Sequence, residues 1–575
     1  MEKFVIIGGV AAGPKTACHL KRLKPEAQVT VIDQDSLISY GGCGIPYFIS
    51  GDVTDADALR STSFDVVRDE AFFSGAKGVD VKTSTRAISI DRQLKTVQLE
   101  NLLTNTTESI SYDKLVLATG SKPTIPPIYG TDLKGVFTVS SLKSAIALQQ
   151  YLKESDAEKA VIIGGGAIGI EMAEGLEDMW GLETTIVEFM PQLLPSFIEK
   201  PIERMLSHHL QQNNISIHTA ESVSGLEGDE NGIVARVVTN KQVLEAQLVI
   251  IATGVRPRDE LARDAGLLVS PRGGIIVNNR LQTSDPNIYA AGDCIETTHL
   301  VTGKKTFAPL GSLSNRQGRV VADNLAGNFS HFDGVVGSFI MKAFDVCVGT
   351  TGLTLATAKA EGFDADMSIT VQSDRAHFIP GHKDIVLAMI FDRKSRRVLG
   401  LQGFSAMGNS VLARINAAAA LLSQRAVIED FSVLEMAYAP PFSTALDALN
   451  VVANVAENKV SGRFRSLPLE DFLTWMEAPA SHPERLVVDV RSVFDSRHEV
   501  ERFGDLWLPL PYPEVRARYQ ELPRDRELIL VCGAGTRSYE VQVFLDSVGY
   551  TRNLVLGGSL MALRPMGIEW LANDD

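Results

Sequence analysis

A multidomain α/β architecture is predicted by three features of this 575-residue chain. Glycine-rich turns join an apolar strand to a helix twice, at 8–13 and at 164–169. Each is followed downstream by an apolar strand ending in Ala-Thr-Gly, at 115–120 and at 249–254. The length exceeds what one hydrophobic core supports and implies about three or four compact units.

The first element runs from 4 to 33: the strand and turn FVIIGGVAAG, the helix PKTACHLKRLKPEAQ, then the strand VTVID. The second, AVIIGGGAIGIEMAEGLEDMWGLETTIVE at 160–188, repeats the order. In its loop Gly164, Gly166 and Gly169 complete GxGxxG. The first glycine allows the turn, the second lets a pyrophosphate approach the backbone, and the third permits close helix packing at a helix N-terminus suited to anions. Glu188 ends the next strand, where a carboxylate accepts hydrogen bonds from a ribose diol; Phe189 and Met190 follow it, with no cation to meet a 2′-phosphate. NADH is therefore expected rather than NADPH. The first loop keeps Gly8 and Gly13 but carries Val10 in the middle, and Asp33 supplies the corresponding carboxylate. The segment NIYAAGDC at 287–294 reads as a return of the chain to its first domain.

From 326 to 450 mixed strands and the alanine-rich run ARINAAAALLSQ indicate a separate α+β unit. Residues 451–469 turn polar, with Ser, Gly and Pro, and are expected to be a linker. Strand, loop and helix return over 470–575, enough for a small α/β domain. The expected organisation is thus 1–118 with 270–325, 119–269, 326–450, a linker at 451–469, and 470–575.

Composition bounds the function. Hydrophobic residues make up 45% and charged residues 22%, as in ordinary globular chains, and the net charge of −15 argues against nucleic acid as the main partner. FVIIGGVAAG is too interrupted by glycine for a signal peptide, and no apolar run is long enough to cross a bilayer. Five cysteines, widely spaced and odd in number, suit one or two reactive thiols in a reducing compartment, so the cytoplasm is the expected location. Cys18 and Cys347 read as packing residues. No metal site is expected: His208 and His209 are adjacent on an apparent helix, diverge, and read as surface residues.

Two glycine loops, two ATG turns and the AAGD segment together resemble the FAD-dependent pyridine-nucleotide disulfide oxidoreductases over about residues 1–450. The resemblance implies FAD on Gly8, Gly13, Asp33, Gly120, Gly292 and Asp293, and NADH on Gly164, Gly166, Gly169, Glu188 and Gly254. It makes 326–450 a dimerisation domain and the protein a homodimer. Well-known members carry CxxxxC; here the position five residues after Cys43, in ISYGGCGIPYFISG, is Phe48. Cys43 therefore resembles the redox centre of the single-cysteine branch. Ala11 and Ala12 stand where its peroxidases and oxidases have a histidine, whereas SYGGCGIPY and YAPPF resemble CoA-disulfide reductases. An external thiol, coenzyme A, would replace the missing second cysteine.

By the same alignment Lys15, His19, Arg22, Ser39, Gly42, Lys77 and His299 line the CoA site, and Tyr438 reaches the active site across the dimer interface. Lys15, Lys21, Arg22 and Lys24 give the first helix a cationic cluster for phosphates. Gly42 replaces the family's asparagine, Lys15 its threonine, FIPG at 378–381 its tyrosine-rich segment, and Leu446 an expected lysine. These changes leave CoA binding more secure than strict CoA-disulfide specificity.

At the C-terminus CGAGTR, Cys532 to Arg537, lies between an apolar strand and a helix. Such a loop points backbone N–H groups at the sulfur, and Arg537 with the helix N-terminus favours its anionic form, suiting a persulfide carrier. With VVDVR upstream and LVLGGSLMAL downstream, this part resembles a rhodanese domain. The expected catalytic set is Cys43, Cys532, Arg537 and Tyr438. The function implied is an NADH- and FAD-dependent reductase of CoA persulfide or polysulfide, with small-molecule thiols and persulfides as partners. Two alternatives stand beside it: a CoA-disulfide reductase with an independent sulfurtransferase domain, and a sulfane-sulfur carrier or redox sensor.

Overall fold

The computed structural model describes residues 1–568. The chain forms two compact units, 1–191 with 214–335, and 192–213 with 336 onward.

The first unit is built on two parallel five-stranded sheets. In one, the strands run in the order Ile288–Ala290, Lys114–Leu117, Lys3–Ile7, Gln28–Ile32, Asp80–Lys82. In the other the order is Ser216–His218, Glu183–Val187, Lys159–Ile163, Leu248–Ile251, Val136–Thr138. The central strands are apolar without alternation because helices and loops cover both faces, and Val5, Ile6, Val161 and Ile162 are buried. The helices Ala12–Leu23 and Ala167–Asp178 follow the two central strands. Each sheet carries a three-stranded antiparallel excursion, at 85–111 and at 223–245. The strand Ile288–Ala290 pairs with Leu115–Leu117 of the first sheet and delivers the segment after it to the ends of the first sheet's strands.

The second unit contains an antiparallel sheet ordered Phe339–Ala343, Val346–Gly352, Val398–Ser405, Asp384–Asp392, Ala365–Ser373. Its second sheet is parallel, ordered Ser466–Leu467, Asn553–Leu556, Glu527–Val531, Arg485–Asp489, Trp507–Pro509. The stretch expected to be a linker differs: Ala448–Val460 is a helix, with Leu449, Val452, Ala453 and Ala456 buried. Its apolar residues recur at helical spacing, and Asp447 caps it by accepting from the Leu449 N–H. The buried Arg414 guanidinium holds that same carboxylate at 2.6 Å.

The helix Lys200–Gln212, expected within the nucleotide-binding half, also belongs to this unit. Glu199, just before it, accepts from the Leu355 N–H at 2.6 Å, Arg204 pairs with Glu470, and Phe197 meets Phe339. The two histidines on this helix are not simply solvated. His209 lies 2.9 Å from Asp345, and the His208 ring fills the space beside Gly567, where a Cβ would come within 2.5 Å.

Candidate active site

The two glycine loops are near-copies in three dimensions. Gly8 and Gly164 have φ of +118° and +115°, and a Cβ on either would lie 2.0 or 2.5 Å from the carbonyl oxygen of Ala118 or Ala252. A Cβ on Gly13 or Gly169 would stand 1.9 or 2.0 Å from the oxygen of Gly8 or Gly164. Glycine at these four positions is fixed by the chain's own packing. The middle position is different. Nothing lies within 4 Å of where a Cβ of Gly166 would be, so only a ligand's approach asks for glycine there.

The acidic residues repeat as well. Asp33 accepts from the Gly9 N–H at 2.6 Å and the Asp35 N–H at 2.8 Å. Glu188 accepts from the Gly165 N–H at 2.6 Å and the Met190 N–H at 2.7 Å. Each carboxylate thereby ties the end of its strand to the glycine turn and keeps further lone pairs for a ribose diol. Burial raises the Asp33 carboxyl above its usual range, against the two N–H groups that lower it. Beyond Glu188, Phe189 is 72% exposed.

Gly120 and Gly254 close the ATG turns with φ of +69° and +96° and open space around each. Gly292 donates its N–H to Gln317 at 2.7 Å, and Asp293 is held by the hydroxyls of Ser121 and Ser314 at 3.2 and 3.3 Å. Burial raises the Asp293 carboxyl. These glycine-lined turns and fixed carboxylates, all at the carboxyl ends of strands, fit two dinucleotides.

Cys43 is an exposed free thiol in the short turn Gly42–Gly44, directly before the helix Ile45–Ile49. A Cβ on Gly311 would touch its sulfur at 3.4 Å, so the N-terminus of the 15-residue helix Gly311–Leu325 lies beside it. That helix end favours negative charge. The same helix supplies Ser314 to Asp293, Gln317 to Gly292, and Gly318 to close contact with the Ala12 carbonyl, where a Cβ would be 2.7 Å away. Sequence reasoning missed this organising helix. Its signal was a face of small and polar residues at 311, 314 and 318.

Among the residues expected to line the CoA site, Lys15, Arg22 and Lys77, with Arg68, surround Cys18 electrostatically. Burial outweighs them and raises the Cys18 thiol. Lys77 also sits over the Phe72 ring. His19 is buried and pairs with Asp323 at 2.8 Å, while Ser39, at φ +53°, turns inward with its N–H on the Gly9 carbonyl. Space is open around Gly42, and His299 lies half-buried after the strand Thr297–Thr298. Lys21 and Lys24 are engaged elsewhere: Lys21 donates to the Pro25 and Ala27 carbonyls and Lys24 to Glu2. On the helix Ala167–Asp178, burial first and then Glu174 push the Glu171 carboxyl up to about 7.

In the second unit Tyr438 is half-exposed on the loop before Asp447. Cys532 is buried at the carboxyl end of the strand Glu527–Val531. Its sulfur accepts the Gly535 N–H at 3.1 Å and lies 3.3 Å from the Ser538 hydroxyl. Arg537 sits in the first turn of the helix Thr536–Ser547, one Nη 3.9 Å from where a Cβ of Gly533 would be. Among the described residues no group of three or more His, Cys, Asp or Glu side chains is arranged to hold a metal. No described helix is long and apolar enough to cross a membrane.

Two dinucleotide sites with a solvent-facing thiol between a glycine turn and a helix end define a flavin- and nicotinamide-type redox protein. The sequence profile of the pyridine nucleotide-disulphide oxidoreductases matches residues 2–308, and that of the same group's dimerisation domain matches 340–449. The chain belongs to the pyridine nucleotide-disulphide oxidoreductase family, as the sequence resemblance implied, and FAD with NAD(P)H is its cofactor set.

It is 37% identical to the NAD(P)H coenzyme A polysulfide/persulfide reductase of Pyrococcus horikoshii over 454 residues, 79% of this chain and 98% of that one. The structure of a NAD-dependent persulfide reductase from A. fulgidus superposes with a TM-score of 0.91 at 37% identity, covering 97% of this chain and 99% of the other. That of reduced Bacillus anthracis CoADR-RHD does so at 0.89 and 31%, covering 99% and 98%.

Proposed function

We propose that this protein is an NADH-dependent reductase of CoA persulfide or polysulfide, acting through Cys43 and fed by a sulfur relay on Cys532 in a rhodanese domain. The observation that carries the reading is the state of the cysteines: all five are free thiols, and Cys43 is the exposed one. A disulfide at Cys43 then draws its second sulfur from outside the chain. Lys15, Arg22 and Lys77 offer cations for the phosphates of CoA, and the relatives above are named for CoA and persulfide chemistry.

The Cys43 thiolate attacks the CoA-bound sulfur of CoA persulfide, forms the Cys43–CoA disulfide and expels hydrosulfide. FAD held by Gly8, Gly13, Asp33, Gly292 and Asp293 would supply the electron pair of NADH needed to open that disulfide to two thiolates. The adjacent end of the helix Gly311–Leu325 stabilises the Cys43 sulfur as an anion. Glu188, with Phe189 and Met190 after it, favours NADH. Cys532 takes sulfane sulfur as a persulfide and passes it to CoA, with Arg537 at the loop favouring the anion. Residues 326–450 form the dimerisation domain of a homodimer, whose Tyr438 serves the partner's site, and the enzyme works in the cytoplasm.

The test is anaerobic NADH oxidation with CoA persulfide, polysulfide and CoA disulfide as separate substrates. Cys43→Ser is expected to abolish all three activities, and Cys532→Ser to impair polysulfide reduction while sparing CoA disulfide. Equal loss of CoA-disulfide reduction in both variants contradicts the division of labour, and no turnover with any substrate favours a carrier or sensor.

A further inference from the structure

The turn after the strand Asn553–Leu556 contains an outlier. Ser559 has φ +66° and ψ 178°, a region occupied essentially by glycine alone, although Gly557 and Gly558 immediately precede it. The residue is 2% exposed, and its hydroxyl has no hydrogen-bond partner. A buried hydroxyl without a partner is costly, and so is the backbone conformation that holds it.

Both features abut the Cys532 loop. The Cβ of Ser559 lies 3.8 Å from where a Cβ of Gly535 would be, and the Gly535 N–H is the group that holds the Cys532 sulfur. Directly after the serine the backbone is tied to the same loop: Leu560 N–H donates to the Cys532 carbonyl at 3.2 Å and Met561 N–H to that of Gly533 at 3.1 Å. Gly535 N–H and the Ser538 hydroxyl already attend the inner sulfur. The Ser559 hydroxyl is a buried polar group beside this loop that lacks a hydrogen-bond partner.

We infer that Ser559 is a positioning residue of the sulfur relay, its hydroxyl donating a hydrogen bond to the outer sulfur of a Cys532 persulfide. The inference rests on the proposed relay. In the transfer step an acceptor thiolate attacks the outer sulfur, a new S–S bond forms on the acceptor, and Cys532 leaves as a thiolate, so charge and electrons balance. The hydroxyl gains its acceptor when the loop is loaded and loses it on transfer.

Ser559→Gly separates this role from a structural one, because glycine removes the hydroxyl and also suits the backbone conformation. The full-length protein is incubated with thiosulfate, and Cys532 persulfide is quantified by mass spectrometry beside a thermal melt. The expected result is a melting temperature equal to or above that of the wild type, with persulfide occupancy at limiting thiosulfate lower by about tenfold, the scale of one hydrogen bond to an anion. Ser559→Ala should show the same loss of occupancy with a smaller gain in stability, because it keeps the strained backbone. Wild-type occupancy in Ser559→Gly overturns the role of Ser559 and leaves the relay standing. A wild-type protein that takes no sulfur on Cys532 overturns the relay and the inference with it.

Discussion

Replacing Glu188 by glutamine exchanges one oxygen for an NH₂ group and should change the choice of nucleotide. Both carboxylate oxygens accept backbone N–H groups, Gly165 at 2.6 Å and Met190 at 2.7 Å, in a side chain only 9% exposed. Glutamine keeps one acceptor and turns an NH₂ towards the other N–H. One charge-assisted bond is lost, worth about 1.5–3 kcal/mol, and part of that cost falls on the glycine turn that receives the dinucleotide. The carboxylate also ceases to accept from the ribose. The dissociation constant for NADH, read from the concentration dependence of flavin reduction in anaerobic stopped flow, should rise by about 10- to 100-fold. NADPH should lose less, because the charge opposing its 2′-phosphate disappears with the same substitution. An NADH constant within twofold of the wild type, or an unchanged ratio of the two nucleotides, refutes the reasoning.

Two further outcomes follow from buried charge. The Glu171 carboxyl, pushed up to about 7 from 4.5, keeps in the folded state a proton that the unfolded chain has lost in that window. Stability therefore falls as pH rises from about 4.5 to about 7, and Glu171→Gln should stabilise the protein above that window by about 3 kcal/mol and leave it unchanged below; denaturant midpoints at both ends of the range check the sign. In the second unit Arg491 bridges Asp489 and Glu499, all three buried, while the Trp507 indole donates to Asp489. Arg491→Ala leaves two buried carboxylates without their cation and should cost about 3–5 kcal/mol, seen as early loss of the buried tryptophan fluorescence while the flavin absorbance persists.

The two glycine-turn units were legible because their geometry is local. A glycine whose Cβ would strike a carbonyl, and a carboxylate at the end of the next strand, sit at fixed spacing, so Gly8, Gly13, Asp33, Gly164, Gly169 and Glu188 could be read in order. Cys43 stood out for lacking a neighbouring cysteine. What the sequence concealed comes from distant segments. Gln317, Ser314 and Gly311 lie on a helix far along the chain, and their small or amide side chains look unremarkable until the fold turns them towards Gly292, Asp293 and Cys43 respectively.

Polar composition suggested a linker at 451–469, but Leu449, Val452, Ala453 and Ala456 bury one face of a helix. The cations of the first helix looked equivalent, yet Lys21 and Lys24 are drawn to local carbonyls and to Glu2. His208 and His209 looked like surface residues because their neighbours, Gly567 and Asp345, are remote in sequence.

The proposed reduction depends on an outside thiol completing the disulfide at Cys43. Peptide mass spectrometry of the oxidised, CoA-treated protein tests this directly. The expected result is a CoA adduct on the peptide bearing Cys43 that disappears on adding NADH, whereas Cys43 joined to another cysteine of the chain, or left unmodified, contradicts the proposed function.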